Sequence, residues 1–403
     1  IGEAANDQLV DHRAGPPRHG LGHPPDAAAP LLDPIGLFVS PVTLTTIQLE
    51  SMRDLVGRGV TRPLSWRLDQ LERLKSLVAA HEQDLLSALA SDLGKPQTEA
   101  FFEVVTLLQE TKQTTKNLRR WMRPRSVPLP LTQQPGRASV VPEPLGCVLI
   151  IGPWNLPFAL TLQPLISALA AGNTAVLKPS EHAPAVSSLI AEAVPKHFDA
   201  DVVSVVEGDG AVAADLVSRP FDHIFFTGGG AVGRKVLAGA SAHLTPVTLE
   251  LGGKSPAIVL PGANLDISAR RLIWGKGFNA GQACIAPDHL IVEPSMQGPL
   301  LEAMRKARSE MYGTDPLQSG ELARIINARQ FERLNALLET ARSDDRILFG
   351  GEVSHQERMI APTVIRVDDR SDPLMADELF GPLLPMLTMQ SLEQTLVEIR
   401  RES

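Results

Sequence analysis

Cys284 lies in GFNAGQACIAPD, residues 277–288, with Asn279, Ala280, Gly281, Gln282 and Ala283 as small and polar company. Such surroundings let a thiol be partly exposed and close to backbone N–H groups, which favour the thiolate, the form that attacks a carbonyl carbon. The same cysteine also reads as a small buried hydrophobe. Glu250, in the apolar run VTLEL just before Gly252 and Gly253, stands where burial would raise its pKa and make it a general base; the alternative is a strand-end carboxylate facing solvent. Asn155 in GPWNLP either caps the helix that follows or donates its amide to an oxyanion. In KPSE, Lys178 can reach a phosphate or ribose hydroxyls and Glu181 can accept from a hydroxyl. In HIFFTGGGAVG, Gly228 and Gly233 have the spacing G-x-x-x-x-G. That turn either admits a pyrophosphate at a helix N-terminus or is an ordinary glycine-rich turn. It is neither the G-x-G-x-x-G fingerprint nor a P-loop with its Lys-Ser/Thr pair.

These residues need a scaffold that brings distant segments together. From Gly146 onward, short β-branched runs alternate with amphipathic stretches: GCVLIIG, a helix through ALTLQPLISALAAG, TAVLK, a helix from Pro184 to His197, DVVSVVEG, and HIFFTGGG with a helix after it. That rhythm predicts parallel βαβ units with helices on both faces of a sheet, and a ligand site at the carboxyl ends of its strands. A second α/β layer follows: strands at VTLEL, Ala257 to Leu260, HLIVEP, ILFGG, TVIRV and LLPMLTM, with helices at Ile267 to Phe278, Pro299 to Tyr312 and Ala323 to Ser343.

Upstream, RLDQLERLKSLVAAHEQDLLSALASDLG predicts one helix with Leu68, Leu71, Leu74, Val78, Leu85 and Leu89 on a face, stopped by Gly94 and Pro96. A second, from Gln97 to about Arg120, should bury Phe101, Val104, Val105, Leu108 and Leu118. Five prolines between residues 125 and 145 predict an extended hairpin or arm, because proline withholds a ladder donor. Residues 1 to about 40, rich in Pro, Gly, Ala and His, predict a disordered extension in which His12, His19 and His23 are incidental.

Composition bounds the partners. A net charge of −8 disfavours nucleic acid, and two cysteines without metal-ligand spacing disfavour a disulfide framework or structural zinc. No apolar run approaches a membrane span and no signal pattern opens the chain, so the expected compartment is the cytoplasm.

GPWNLP, VLKPSE, FFTGGGAVG, LELGGKSP, NAGQACIAPD and DELFGP, in this order, resemble the aldehyde dehydrogenase superfamily. PEPLGCVLIIGPWN and the CIAPD continuation resemble its class 3 branch, which acts on fatty or aromatic aldehydes, and that branch's bacterial relatives. The resemblance runs from about Ser65 to Leu396 and implies an α/β aldehyde dehydrogenase fold. It implies an NAD(P)-binding domain at 41–123 and 146–252, an oligomerisation arm at 124–145 and a catalytic domain at 253–403. It also implies oxidation of an aldehyde to a carboxylic acid with NAD or NADP, with Cys284 as nucleophile, Glu250 as general base, and Asn155 with the Cys284 amide as the oxyanion hole. Trp154, Lys178, Glu181, Gly228, Gly233, Glu378 and Phe380 match cofactor-binding positions, and no metal is implied. Glu181 disfavours a 2′-phosphate. Gly229 and Gly230 replace a more polar turn, and Leu156 replaces a common aromatic. The family ordinarily continues beyond DELFGP through a last strand, a pocket loop and an oligomerisation strand, so a C-terminally truncated chain is expected, one that forms a homodimer when complete. The alternatives are a coenzyme A-acylating enzyme, against which Glu250 argues, and an impaired homologue that only binds cofactor.

Overall fold

The structure, a computed structural model, describes residues 44–401. The expected N-terminal extension, with His12, His19 and His23, lies outside the described residues.

Four helices precede the sheets: α1 (Thr46–Gly57), α2 (Leu64–Ala80), α3 (Glu82–Leu93) and α4 (Gln97–Trp121). The expected single helix is broken at His81 (φ −115°, ψ 19°). Acidic Glu82 and Asp84 then occupy the first turn of α3, where the N-terminal dipole favours them. The break lets α2 pack on α4 while α3 packs on α6 (Pro184–His197). Gly94 ends α3 at φ 59°, a left-handed cap that suits glycine. The buried face of α4 differs from the expected one: Ala100, Glu103, Val104, Leu107 and Leu118 point inward, while Phe101 is exposed. A buried carboxylate, Glu103, is what shifts the phase.

After α4, β1 (Arg125–Val127) and β2 (Ala138–Val140) pair antiparallel as a largely exposed hairpin. Strands β3 (Cys147–Ile151), β4 (Thr174–Lys178), β5 (Val203–Val205), β6 (His223–Gly228) and β7 (Val247–Leu251) form a parallel sheet in the order β5-β4-β3-β6-β7. CVLII and TAVLK are buried throughout, as continuous apolar strands of a parallel sheet must be when helices cover both faces. α5 (Ala159–Ala171) and α6 cover one face; α1, α7 (Gly210–Val217) and α8 (Gly230–Ala240) cover the other. The edge strand β7 alternates between half-buried and exposed residues.

The second sheet has the order β10-β13-β14-β9-β8, comprising β8 (Pro256–Val259), β9 (His289–Val292), β10 (Ile347–Phe349), β13 (Thr363–Arg366) and β14 (Leu383–Thr388). Only β10 runs antiparallel to its neighbour. The small pair β11 (Val353–Ser354) and β12 (Met359–Ile360) lies apart. α9 (Leu265–Gly277), α10 (Pro294–Tyr312), α11 (Ala328–Ser343), α12 (Pro373–Ala376) and α13 (Leu392–Arg401) complete this half. α11 starts five residues later than expected because the Asn327 side chain caps it by accepting from the Gln330 amide.

Glu103 is central to this packing. Lys95 Nζ donates to its Oε1 at 2.6 Å, both side chains are fully buried, and its Oε2 accepts from the Phe158 and Ala159 amides at 3.0 and 2.9 Å. It therefore supplies the cap that Phe158 cannot give α5. Glu103→Ala strands Lys95 as an unpaired buried cation, and urea unfolding should report a loss of about 3–5 kcal/mol.

Candidate active site

The parallel strands deliver the sequence-flagged residues to one edge. Trp154 and Asn155 follow β3, Lys178 ends β4, Glu181 lies three residues on, and Gly228 ends β6. Thr227 and Gly228 pair in register with Glu250 and Leu251, so Glu250 stands beside the glycine turn.

The cysteine loop is built from an unusual backbone. Asn279, Ala280 and Gly281 are all left-handed, at φ 50°, 52° and 69°. Two of them carry a Cβ, a strain of about 1 kcal/mol or more each that the surroundings must hold. Gln282 holds it: its Nε2 donates to the carbonyls of Asn279 and Arg324, both at 2.9 Å, and its Oε1 accepts from the Ile326 amide at 3.0 Å. Asn279 Nδ2 donates to the carbonyls of Asn155 (2.8 Å) and Gln282 (3.0 Å). Asn155, buried, donates its Nδ2 to the same Gln282 carbonyl at 3.0 Å. Asn155 is thus no helix cap; its amide is aimed at the cysteine loop.

Cys284 is half-buried. Its pKa is raised, first by burial and then by the Glu250 carboxylate, although the amides of Cys284 and Ile285 pull the other way. This corrects the expectation of a favoured thiolate: the amides are present, but burial and a neighbouring anion outweigh them. Of the two readings of Glu250, the structure shows the solvent-facing one: it is exposed on the edge strand β7 and lines a cavity of about 410 Å³ with Thr227, Phe225 and Leu160. Cys147, the other cysteine, is buried in β3, where burial pushes its thiol to about 12.

Three motifs distant in sequence are tied together beside the cysteine. Asp288 pairs with Lys254, and its Oδ1 accepts from the Leu379 amide at 2.7 Å. Lys254 Nζ also donates to the Asp377 carbonyl at 2.9 Å. Glu378 lies against Gly252, where a Cβ would meet its carboxylate, and accepts from the Gly253 amide. Burial raises the Glu378 carboxyl, and its charge reaches Cys284. Lys276, fully buried on α9, is brought down to about 8 by burial, with Asp288 opposing. Lys254 and Asp288 lie within LELGGKSP and NAGQACIAPD, yet nothing in those motifs, or around Lys276, marks the three as neighbours beside the cysteine.

The cofactor candidates form a second cluster. Lys178, buried, donates to Glu181 at 2.6 Å. Burial alone would raise the Glu181 carboxyl, but the bond and charge of Lys178, its own backbone amide and the His182 charge together hold the group below its ordinary value. Trp154 and Phe380 meet edge-to-face with centroids 5.2 Å apart, and Phe380 is held at φ 47°. No side chain caps α8, and the Gly230 and Ala231 amides at its start have no intrahelical acceptor, whereas Val232 donates to the Gly229 carbonyl at 3.0 Å. A Cβ at Gly229 would meet nothing within 4 Å, so the turn has room for a ligand. Gly233 is instead a packing residue: a Cβ there would come within 3.2 Å of Leu251, across the contact between α8 and β7. This edge, with an uncapped helix N-terminus, an open glycine turn and a Lys–carboxylate pair, fits a dinucleotide.

The aldehyde dehydrogenase family model matches residues 60–400. Aldehyde dehydrogenase family 3 member H1 of Arabidopsis thaliana is 42% identical over 344 residues, covering 85% of this chain and 71% of its own length. The dimeric NADP-preferring aldehyde dehydrogenase of Canis lupus familiaris is 41% identical over 350 residues, 86% of this chain and 76% of its own. Among solved structures, that of the Staphylococcus aureus AldH in its substrate-bound state superposes with a TM-score of 0.85 at 38% identity, over 89% of this chain and 78% of that one. The chain belongs to the aldehyde dehydrogenase family, the α/β oxidoreductases that oxidise aldehydes with NAD or NADP.

Proposed function

We propose that Cys284 attacks the aldehyde carbonyl, that Asn155 and the Cys284 amide hold the resulting oxyanion, and that Glu250 activates the water that hydrolyses the thioester. The observation that carries this reading is geometric: Asn155 donates to the Gln282 carbonyl at 3.0 Å, two residues from Cys284, and the Glu250 charge, second to burial in raising the thiol, agrees with it. The bound nicotinamide supplies the hydride acceptor. Collapse of the thiohemiacetal leaves the acyl group on sulfur, and water delivered through Glu250 releases the carboxylic acid and restores the thiol.

Lys178 and Glu181 bind the adenosine ribose in this reading, the turn from Gly228 to Gly230 the pyrophosphate, with Gly233 packing α8 on β7 behind it, and Glu378 with Phe380 the nicotinamide ribose beside Trp154. Residues 41–123 and 146–252 serve as the cofactor domain and 253–403 as the catalytic domain. The hairpin at 124–145 contributes to a homodimer, in keeping with the name of the dog relative. The protein acts in the cytoplasm; among the described residues no helix is long and apolar enough to cross a membrane. An apolar aldehyde is favoured by the cluster of Phe102, Trp274 and Phe278, which leads directly into the cysteine loop.

Incubation with a medium-chain or aromatic aldehyde and NAD or NADP should yield reduced nicotinamide and carboxylic acid in equal amounts, without coenzyme A. Binding of cofactor with no reduction would contradict the proposal. Glu181→Gln removes the charge opposing a 2′-phosphate and releases Lys178, so the NADP-to-NAD ratio of kcat/KM should rise about tenfold.

A further inference from the structure

We infer that Glu99 is a positioning residue for the reaction: from the first turn of α4 its carboxylate sets the register of the Cys284 loop by accepting from the Asn279 amide. The inference rests on Cys284 being the nucleophile.

The Asn279 amide lies 2.8 Å from Glu99 Oε2, at the point where the chain leaves α9 and enters its left-handed run. Asn279 is also the residue whose side chain ties Asn155 to Gln282. A shift of its backbone therefore moves both the sulfur and the amide that faces the oxyanion. One turn further along the same helix, Glu103 fixes the start of α5, immediately beyond Asn155. Two carboxylates at i and i+4 thus hold the two backbone segments whose separation defines the site.

The two are not equivalent. Glu103 is neutralised by Lys95 and accepts from two further amides. Glu99 faces Lys95, which is already engaged by Glu103, together with the Glu321 carboxylate and the Tyr312 phenol from the other side. Burial, opposed by the Asn279 amide and Lys95, lifts its carboxyl to about 7. Below neutrality Glu99 is protonated and accepts as a neutral carbonyl; above it, the charged oxygen makes the stronger bond and the loop is held.

Glu99→Gln keeps the shape and the neutral acceptor, so it reproduces the protonated state at every pH. Measured across pH at saturating NAD, its kcat should be about fivefold below wild type well above neutrality, the difference between a charged and a neutral acceptor, and equal to wild type well below it. The KM for cofactor should stay unchanged. Glu99→Ala should lower kcat about tenfold at every pH, again without a change in cofactor KM. A pH-independent ratio for Glu99→Gln, or wild-type kcat in Glu99→Ala, would overturn the inference. Cys284→Ser assayed alongside separates the two readings: turnover retained there removes the nucleophile assignment, whereas failure of the Glu99 ratio in a Cys284-dependent enzyme removes only the positioning role.

Discussion

Cys284→Ser should lower aldehyde-dependent reduction of NAD by about a thousandfold or more while leaving NAD binding intact. A serine hydroxyl is far weaker as an acid than a thiol, and the site offers it less help than it offers sulfur. The amides of Cys284 and Ile285 favour the anion, but burial and Glu250 already raise the thiol, and a hydroxyl starts from a much higher value. Cys147 cannot substitute, since it is buried within β3 with its thiol pushed to about 12. Stopped-flow measurement of the first turnover is the decisive check. Retained burst and steady-state rates would remove Cys284 from the chemistry.

Glu250→Gln should separate the two halves of the reaction. The first turnover should still release reduced nicotinamide, and steady-state turnover should then fall by about a hundredfold to ten-thousandfold, the span over which a positioned base contributes. Burial is the main cause of the raised thiol and Glu250 the next, so removing this charge should also speed alkylation of Cys284 at neutral pH. That second effect has the opposite sign to the loss of hydrolysis, which guards against reading general damage as loss of a base. Unchanged steady-state turnover would take Glu250 out of the hydrolytic step.

Much of this was legible in the chain because its signals are local. The alternation of CVLII, TAVLK and HIFFTG with amphipathic stretches reports a parallel sheet directly, since strands covered on both faces must be apolar throughout. The helix from Pro184 to His197 and the cap at Gly94 were likewise written in a few adjacent residues. What was hidden depends on distant partners. Nothing in the helix from Gln97 shows that Glu99 accepts from the Asn279 amide, or Glu103 from those of Phe158 and Ala159. Lys276 is apolar in setting only because α9 is wrapped by the second sheet and α10. The exposure of Glu250 was legible in VTLEL, where Thr248 and Glu250 alternate with Val247, Leu249 and Leu251 as on a strand with one solvent face, but the place of β7 at the sheet edge depends on distant pairing. The left-handed turn was half visible: Asn279 and Gly281 tolerate positive φ, while Ala280 gives no such hint.

The central claim is that the aldehyde is oxidised while bonded to Cys284. Acid-quenching Glu250→Gln after its first turnover with aldehyde and NAD, followed by peptide mass analysis, tests this most directly. The predicted result is one acyl group per subunit on the peptide that contains Cys284, equal to the reduced nicotinamide released. Release of reduced nicotinamide with no acyl group on that cysteine, or with the acyl group on another residue, would contradict it.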